Sequence, residues 1–237
     1  MAASSKEQSN LRQYALIAGI ALIVMTVAAS FSYGFVHGSL VVKGDAGTTF
    51  NNIKSSPMLF KAEIVGWLII LITDIVVAWA FYNFLKPINE NLSLLGALFR
   101  LVYASLLGIA IWNLIVVMLL SNRTDHLLAP DQLQAHVMLN LEAFDFIWSL
   151  GLIIFGGHLM IVGFLAYSSD RIPRVIGILL WIASIGYIVI HLGKTIFSQY
   201  DGIIRILEYL FTAPMIAGEL GFGIWLLIKG GKVTKRI

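Results

Sequence analysis

Residues 62–84 read AEIVGWLIILITDIVVAWAFYNF and residues 93–120 read SLLGALFRLVYASLLGIAIWNLIVVMLL, with only LKPINENL between them. A helix needs about 20 apolar residues to cross a hydrocarbon core, and each run exceeds that. Two such runs on so short a polar link make an antiparallel hairpin of membrane-spanning helices. The same reading carried outward gives six spans, at 14–36, 62–84, 93–120, 143–167, 173–196 and 203–229. The expectation is an all-α polytopic integral membrane protein forming one domain over 1–237. Composition agrees, since 59% of the 237 residues are hydrophobic and 12% are charged. Soluble domains carry about twice that charge, so the apolar excess must face lipid.

The formal net charge is +3, and the basic residues gather at the predicted helix ends. Nine (Lys6, Arg12, Lys86, Arg171, Arg174, Lys229, Lys232, Lys235, Arg236) flank the side that holds both termini, and six (Lys43, Lys54, Lys61, Arg123, Lys194, Arg205) flank the other. That bias places both termini in the cytoplasm. It is an orientation signal and not a nucleic-acid footprint, and no nucleic-acid partner is expected. The basic tail, Lys229 to Arg236, is expected to touch anionic lipid. The first span, with Lys6 and Arg12 ahead of it, reads as a retained span and not a cleaved leader. The chain has no cysteine, which removes disulfides, thiolate metal sites and cysteine nucleophiles.

The predicted outer loops, 37–61 and 121–142, mix Gly, Asn and Pro with apolar positions and are expected to fold back over the bundle. Leu133, Val137 and Leu141 recur at helical spacing and predict a short interfacial helix over 131–141 ahead of the fourth span.

Ionisable side chains inside a span are costly and face the bundle interior or a cavity. Asp74, Arg100, His158 and Glu219 lie about seven to ten residues from the cytoplasmic ends of their spans, roughly 10–15 Å deep, so four chargeable groups share one layer. Arg100 is its one permanent cation, able to neutralise Asp74 or Glu219 but not both. The second carboxylate is then neutral or paired with a protonated His158, and the group would hold its protons jointly.

A second polar layer lies toward the outside, with Glu63, Asn113, Asp145 and His191 at its heart and Glu142, Lys194 and Glu208 beside them. Glu63 and Asp74 are eleven residues apart, as are Glu208 and Glu219, which returns each pair to within about 20° of one helix face. Ser184, Tyr187 and His191 make a similar stripe on the fifth span. Together these stripes predict a polar path from the outer mouth to the inner layer. The plain alternative is that buried pairs only fix helix register, that Arg100 snorkels to the interface, and that Glu142, Lys194 and Glu208 touch water.

His37, His191, Glu63 and Asp145 are donors that suit zinc, although no HxxxH or HExxH spacing brings them together. Gly151, Gly156, Gly157 and Gly163 on the fourth span, and Gly218, Gly221 and Gly223 on the sixth, read as close-packing surfaces.

The stretches Gly44-Asp45-Ala46, Leu85-Lys86-Pro87-Ile88-Asn89, Phe99-Arg100-Leu101-Val102-Tyr103, Ile172-Pro173-Arg174 and Gly218-Glu219-Leu220 follow one another in an order and spacing that resembles DUF4386, a bacterial multi-pass family catalogued as a domain of unknown function. The resemblance runs over nearly the whole chain, and Asp74, Arg100, His158 and Glu219 fall in segments that look like the family's own. It implies a multi-pass protein of the bacterial plasma membrane, and it implies no activity. The chain departs from the family pattern near Leu141-Glu142 and at Ile190-His191.

No complete catalytic motif occurs, so the sequence leaves open whether the chain is an enzyme, and nothing names a cofactor. The leading reading is an inner layer that binds or relays protons or a small polar ligand, in a chain surrounded by membrane lipid. A rival is a membrane-embedded metal-dependent hydrolase at His37, His191, Glu63 and Asp145, where a metal would acidify a bound water. A third is an accessory or assembly subunit of a larger complex, with other membrane subunits as partners.

Overall fold

The structure, a computed structural model, describes residues 5–122, 129–196 and 201–232. Arg123, Lys235 and Arg236 lie outside the described residues, as does the side chain of Lys6. The chain is helical, with no strand among the described residues: α1 (Ser5–Ala29), a π-helical stretch (Ser30–His37), α2 (Gly38–Leu40), α3 (Ala46–Ser55), α4 (Pro57–Leu85), α5 (Glu90–Ser121), α6 (Pro130–Ser168), α7 (Arg174–Ile196) and α8 (Asp201–Ile228). Six tracts, Ser9–Leu40, Pro57–Leu85, Glu90–Ser121, Pro130–Ser168, Arg174–Ile196 and Gly202–Ile228, are long and apolar enough to cross a membrane. Met58, Trp112 and Tyr209 are among the large side chains left exposed, a surface suited to acyl chains.

The stretches expected as loops are more helical than their composition suggests. The first span continues through the π-helical stretch to Leu40, and α3 fills much of the remainder. Asp45 caps α3 by accepting from the Thr48 amide at 2.9 Å. That amide and the Thr48 hydroxyl hold the Asp45 carboxyl below its usual range. No separate interfacial helix covers 131–141, because α6 runs unbroken from Pro130 to Ser168. Pro130 occupies the first helical position, where its missing amide costs nothing. Asn140, the residue most apt to interrupt the turn, bonds back to the His136 carbonyl at 2.8 Å. The tight link between α4 and α5 is as predicted, with Asn89 capping α5 through the Leu92 amide at 3.0 Å.

The contacts gather into two compact units. One comprises Met1–Val24, Thr73–Ala104 and Ser149–Ile237, and the other Met25–Ile72 and Ser105–Trp148. In the first, small residues let backbones meet. A Cβ on Gly177 would lie 2.7 Å from the Tyr167 amide nitrogen and 2.8 Å from the Gly163 carbonyl oxygen, so α6 and α7 touch main chain to main chain. A Cβ on Gly218 would lie 3.0 Å from the Leu179 carbonyl, which brings α8 equally close to α7. The guanidinium of Arg12 donates to the carbonyls of Leu226, Leu227 and Gly230 at 3.0, 2.6 and 2.8 Å, closing the carboxyl end of α8 with a side chain from α1. Gly231, at φ +69°, then turns the chain away in a conformation that favours glycine.

In the second unit, Gly66 makes room for the Ser32 hydroxyl, which an added Cβ would strike. Trp148 meets Tyr33 and Trp67 edge to face, with centroids 4.8 and 4.9 Å apart, and Phe144 meets Trp67 edge to face at 5.0 Å.

The glycines separate into close-packing contacts and free positions, which thermal unfolding in one detergent will distinguish. Gly177→Ala meets backbone and is expected to destabilise by about 1–3 kcal/mol. Gly221→Ala meets nothing within 4 Å and should be neutral or slightly stabilising. Equal melting temperatures for the two variants would remove the close backbone crossing.

Candidate functional site

Three of the four inner-layer residues meet in the first unit. Arg100 on α5 is 1% exposed, and Asp74 on α4 and His158 on α6 are wholly buried. Arg100 Nη2 lies 2.7 Å from Asp74 Oδ1, and Nη1 lies 3.1 Å from His158 Nε2. The other ring nitrogen, Nδ1, lies 2.8 Å from the Gly96 carbonyl. A guanidinium can only donate and a carbonyl can only accept, so Nε2 accepts, Nδ1 carries the proton, and His158 is a neutral imidazole. The expectation of a protonated His158 balancing a second carboxylate therefore does not hold, since that proton would sit where Arg100 already donates. Nor does Arg100 snorkel, because its head group is sealed inside.

Aromatic rings complete the enclosure. The Arg100 guanidinium lies 5.2 Å from the Phe155 centroid and 5.9 Å from that of Phe81, within cation–π range of both. Phe81 also stacks on His158 at 6.0 Å. Composition does not single out these phenylalanines, but spacing does: Phe81 follows Asp74 by seven residues and Phe155 precedes His158 by three, each on the polar residue's own helix face. Asp74 Oδ2 has no hydrogen-bond partner.

Glu219 is held by a different group, accepting from the Tyr187 hydroxyl at 2.7 Å, and it is part-buried. Tyr187 meets Phe155 edge to face at 5.2 Å, so the ring that covers Arg100 also backs the tyrosine. The stripe predicted on α7 divides its attention. Ser184 donates to the Gly156 carbonyl on α6 at 2.7 Å and His191 lies 2.8 Å from Ser149 Oγ, also on α6, while Tyr187 serves α8. Glu208, the other member of the predicted Glu219 stripe, has a partner of its own. It pairs with Lys194, both side chains being about 40% exposed. Pro214 lies between the two glutamates and breaks the regular hydrogen-bond ladder on which the eleven-residue arithmetic rests.

In the second unit, His37 Nδ1 lies 2.8 Å from Glu63 Oε1, both residues buried. Glu63 Oε2, Trp67 Nε1 and Ser32 Oγ are buried there without hydrogen-bond partners, a feature no sequence signal announced. Asn113 turns back to its own helix, donating to the Ile109 carbonyl at 3.1 Å, and Glu142 is exposed. Asp145 is half-buried. Among the described residues no three His, Asp or Glu side chains converge as metal ligands, and of the four metal candidates His37 and Glu63 meet one another.

These features define a membrane protein with six apolar helices and a buried Asp–Arg–His cluster. The chain belongs to the family described as a domain of unknown function, DUF4386, which it matches over residues 17–230. It is 37% identical over 173 residues to an uncharacterised protein of Archaeoglobus fulgidus, covering 73% of this chain and 86% of that one. No solved structure matches. The relative is archaeal, so membership alone does not place the chain in a bacterium.

Removing one partner of a buried ion pair strands the other charge. Asp74→Asn alone is expected to cost about 3–5 kcal/mol, and much less in an Arg100→Leu background. A double-mutant cycle by unfolding in mixed micelles measures the difference. Additive effects would show that the pair is not coupled.

Proposed function

We propose that the protein is a multi-pass protein of the cytoplasmic membrane whose Asp74, Arg100 and His158 cluster, with Glu219, binds or relays protons or a small polar solute. The observation that carries this reading is the wholly buried Asp74 carboxylate, whose Oδ1 lies 2.7 Å from Arg100 Nη2 as an ion pair and neither of whose oxygens accepts a well-formed hydrogen bond. Buried polar atoms normally have partners, and an oxygen without one in an enclosed layer is suited to accept a proton or a ligand's donor group. His158 serves as a neutral acceptor that keeps Arg100 in place through Nη1 when Nη2 is released. The Tyr187–Glu219 hydrogen bond sets a second carboxyl nearby, and the charges of Arg100 and Asp74 both act on it. With two carboxyls and one permanent cation in the layer, a proton gained or lost at one carboxyl still leaves the other to balance Arg100.

Purified protein in liposomes carrying an internal pH dye, driven by an imposed pH gradient, tests the reading. Wild type should carry protons, alone or with a supplied solute, above the rate of empty vesicles, and Asp74→Asn and Glu219→Gln should fall to the empty-vesicle rate. Variants that conduct like wild type would refute it. The charge bias of the helix ends further favours both termini in the cytoplasm. A carboxy-terminal green fluorescent protein fusion should therefore fluoresce and an alkaline phosphatase fusion at the same point should be inactive; the reverse pattern would invert the orientation.

A further inference from the structure

We propose that a cavity in the first unit holds the headgroup and glycerol of one anionic phospholipid. The cavity has a volume of about 790 Å³ and is bounded by the turn after α4, the turn between α6 and α7, and the ends of α1 and α8. Its size suits a ligand of that class. The floor is apolar: Leu11 and Phe84 are buried, and the Trp225 ring meets Phe84 edge to face at 6.4 Å. The rim is basic, with Arg171, Lys229 and Lys232 exposed around it and Asp170 the acidic residue among the lining groups.

Among the described residues none of Arg171, Lys229 and Lys232 forms an ion pair. Lys229 and Lys232 sit at the carboxyl end of α8, where a lysine would ordinarily be drawn to the last carbonyls. Here Arg12 already fills that role, bonding the carbonyls of Leu226, Leu227 and Gly230. Three cations against one carboxylate leave a net attraction for an anion. A free phosphate would use the rim and gain nothing from the floor, whereas a phospholipid uses both. A tryptophan beside basic side chains at the end of apolar helices is also the composition of a membrane interface.

The full chain, in nonionic detergent, is presented with dioleoyl phosphatidylglycerol or dioleoyl phosphatidylcholine and examined by native mass spectrometry. The proposal expects retained phosphatidylglycerol adducts and weak or no phosphatidylcholine adducts. The triple variant Arg171→Gln, Lys229→Gln, Lys232→Gln should bind phosphatidylglycerol about tenfold or more weakly. Arg171→Lys with both lysines changed to Arg should restore it. Trp225→Ala, which keeps the rim charges, should also weaken retention. Equal retention of the two lipids overturns the proposal, as does unchanged binding in the triple variant. Displacement of phosphatidylglycerol by millimolar inorganic phosphate overturns it in favour of a soluble anion. If the triple variant does not fold, the lipid comparison on wild type and Trp225→Ala decides. Proton flux plays no part in the readout, so the outcome is independent of the reading given to the buried cluster.

Discussion

The guanidinium of Arg100 holds α4, α5 and α6 in one register within its unit. Between helices surrounded by lipid there is little hydrophobic driving force, because the acyl chains are as apolar as the side chains they would replace. Close backbone contact and polar bonds must carry the association instead. Arg100 supplies the polar bonds, binding Asp74 through one nitrogen and His158 through another, while His158 in turn donates to the Gly96 carbonyl. Each acceptor fixes the next, so a shift of any of the three helices by one residue would strand a charge in a medium that cannot solvate it. The glycine crossings at Gly163, Gly177 and Gly218 then bring α7 and α8 in beside this frame.

The two buried clusters solve the cost of a membrane-depth carboxylate differently. Asp74 is balanced by a permanent cation under aromatic rings. Glu63 has only an imidazole at 2.8 Å, and a second oxygen left over, within a shell of Tyr33, Trp67, Phe144 and Trp148. In the first the balancing charge is the permanent one of a guanidinium. In the second the partner is an imidazole and not a guanidinium. The π-helical stretch bears on this, since His37 and Ser32 both belong to it, and such stretches re-aim side chains that a regular helix would turn elsewhere.

The spans were legible because about twenty apolar residues in a row have few other uses, and the inner layer because Asp, Arg, His and Glu are so costly inside such runs. Helix ends were harder. Hydropathy falls before Pro57 and Pro130, yet a proline at the first helical position and an uninterrupted backbone ladder carry those helices further out than polarity suggests. Pairing was also hidden, because Arg100 had two candidate carboxylates at one depth. The choice of Asp74, and of Tyr187 for Glu219, follows from helix rotation about axes that no single sequence specifies. The Phe81 and Phe155 rings were indistinguishable by type in a chain that is 12% aromatic.

The bond from Arg12 to the end of α8 joins residues 214 positions apart in the chain. During synthesis the first helix enters the bilayer long before its partner has been made. Until α8 is inserted, the half-buried guanidinium near the start of α1 lacks the carbonyls that receive it in the fold, and the carboxyl end of α8 has yet to meet its cap. Completion of the fold is thereby tied to the final helix, and the order of insertion leaves the amino-terminal segment waiting on the carboxyl-terminal one.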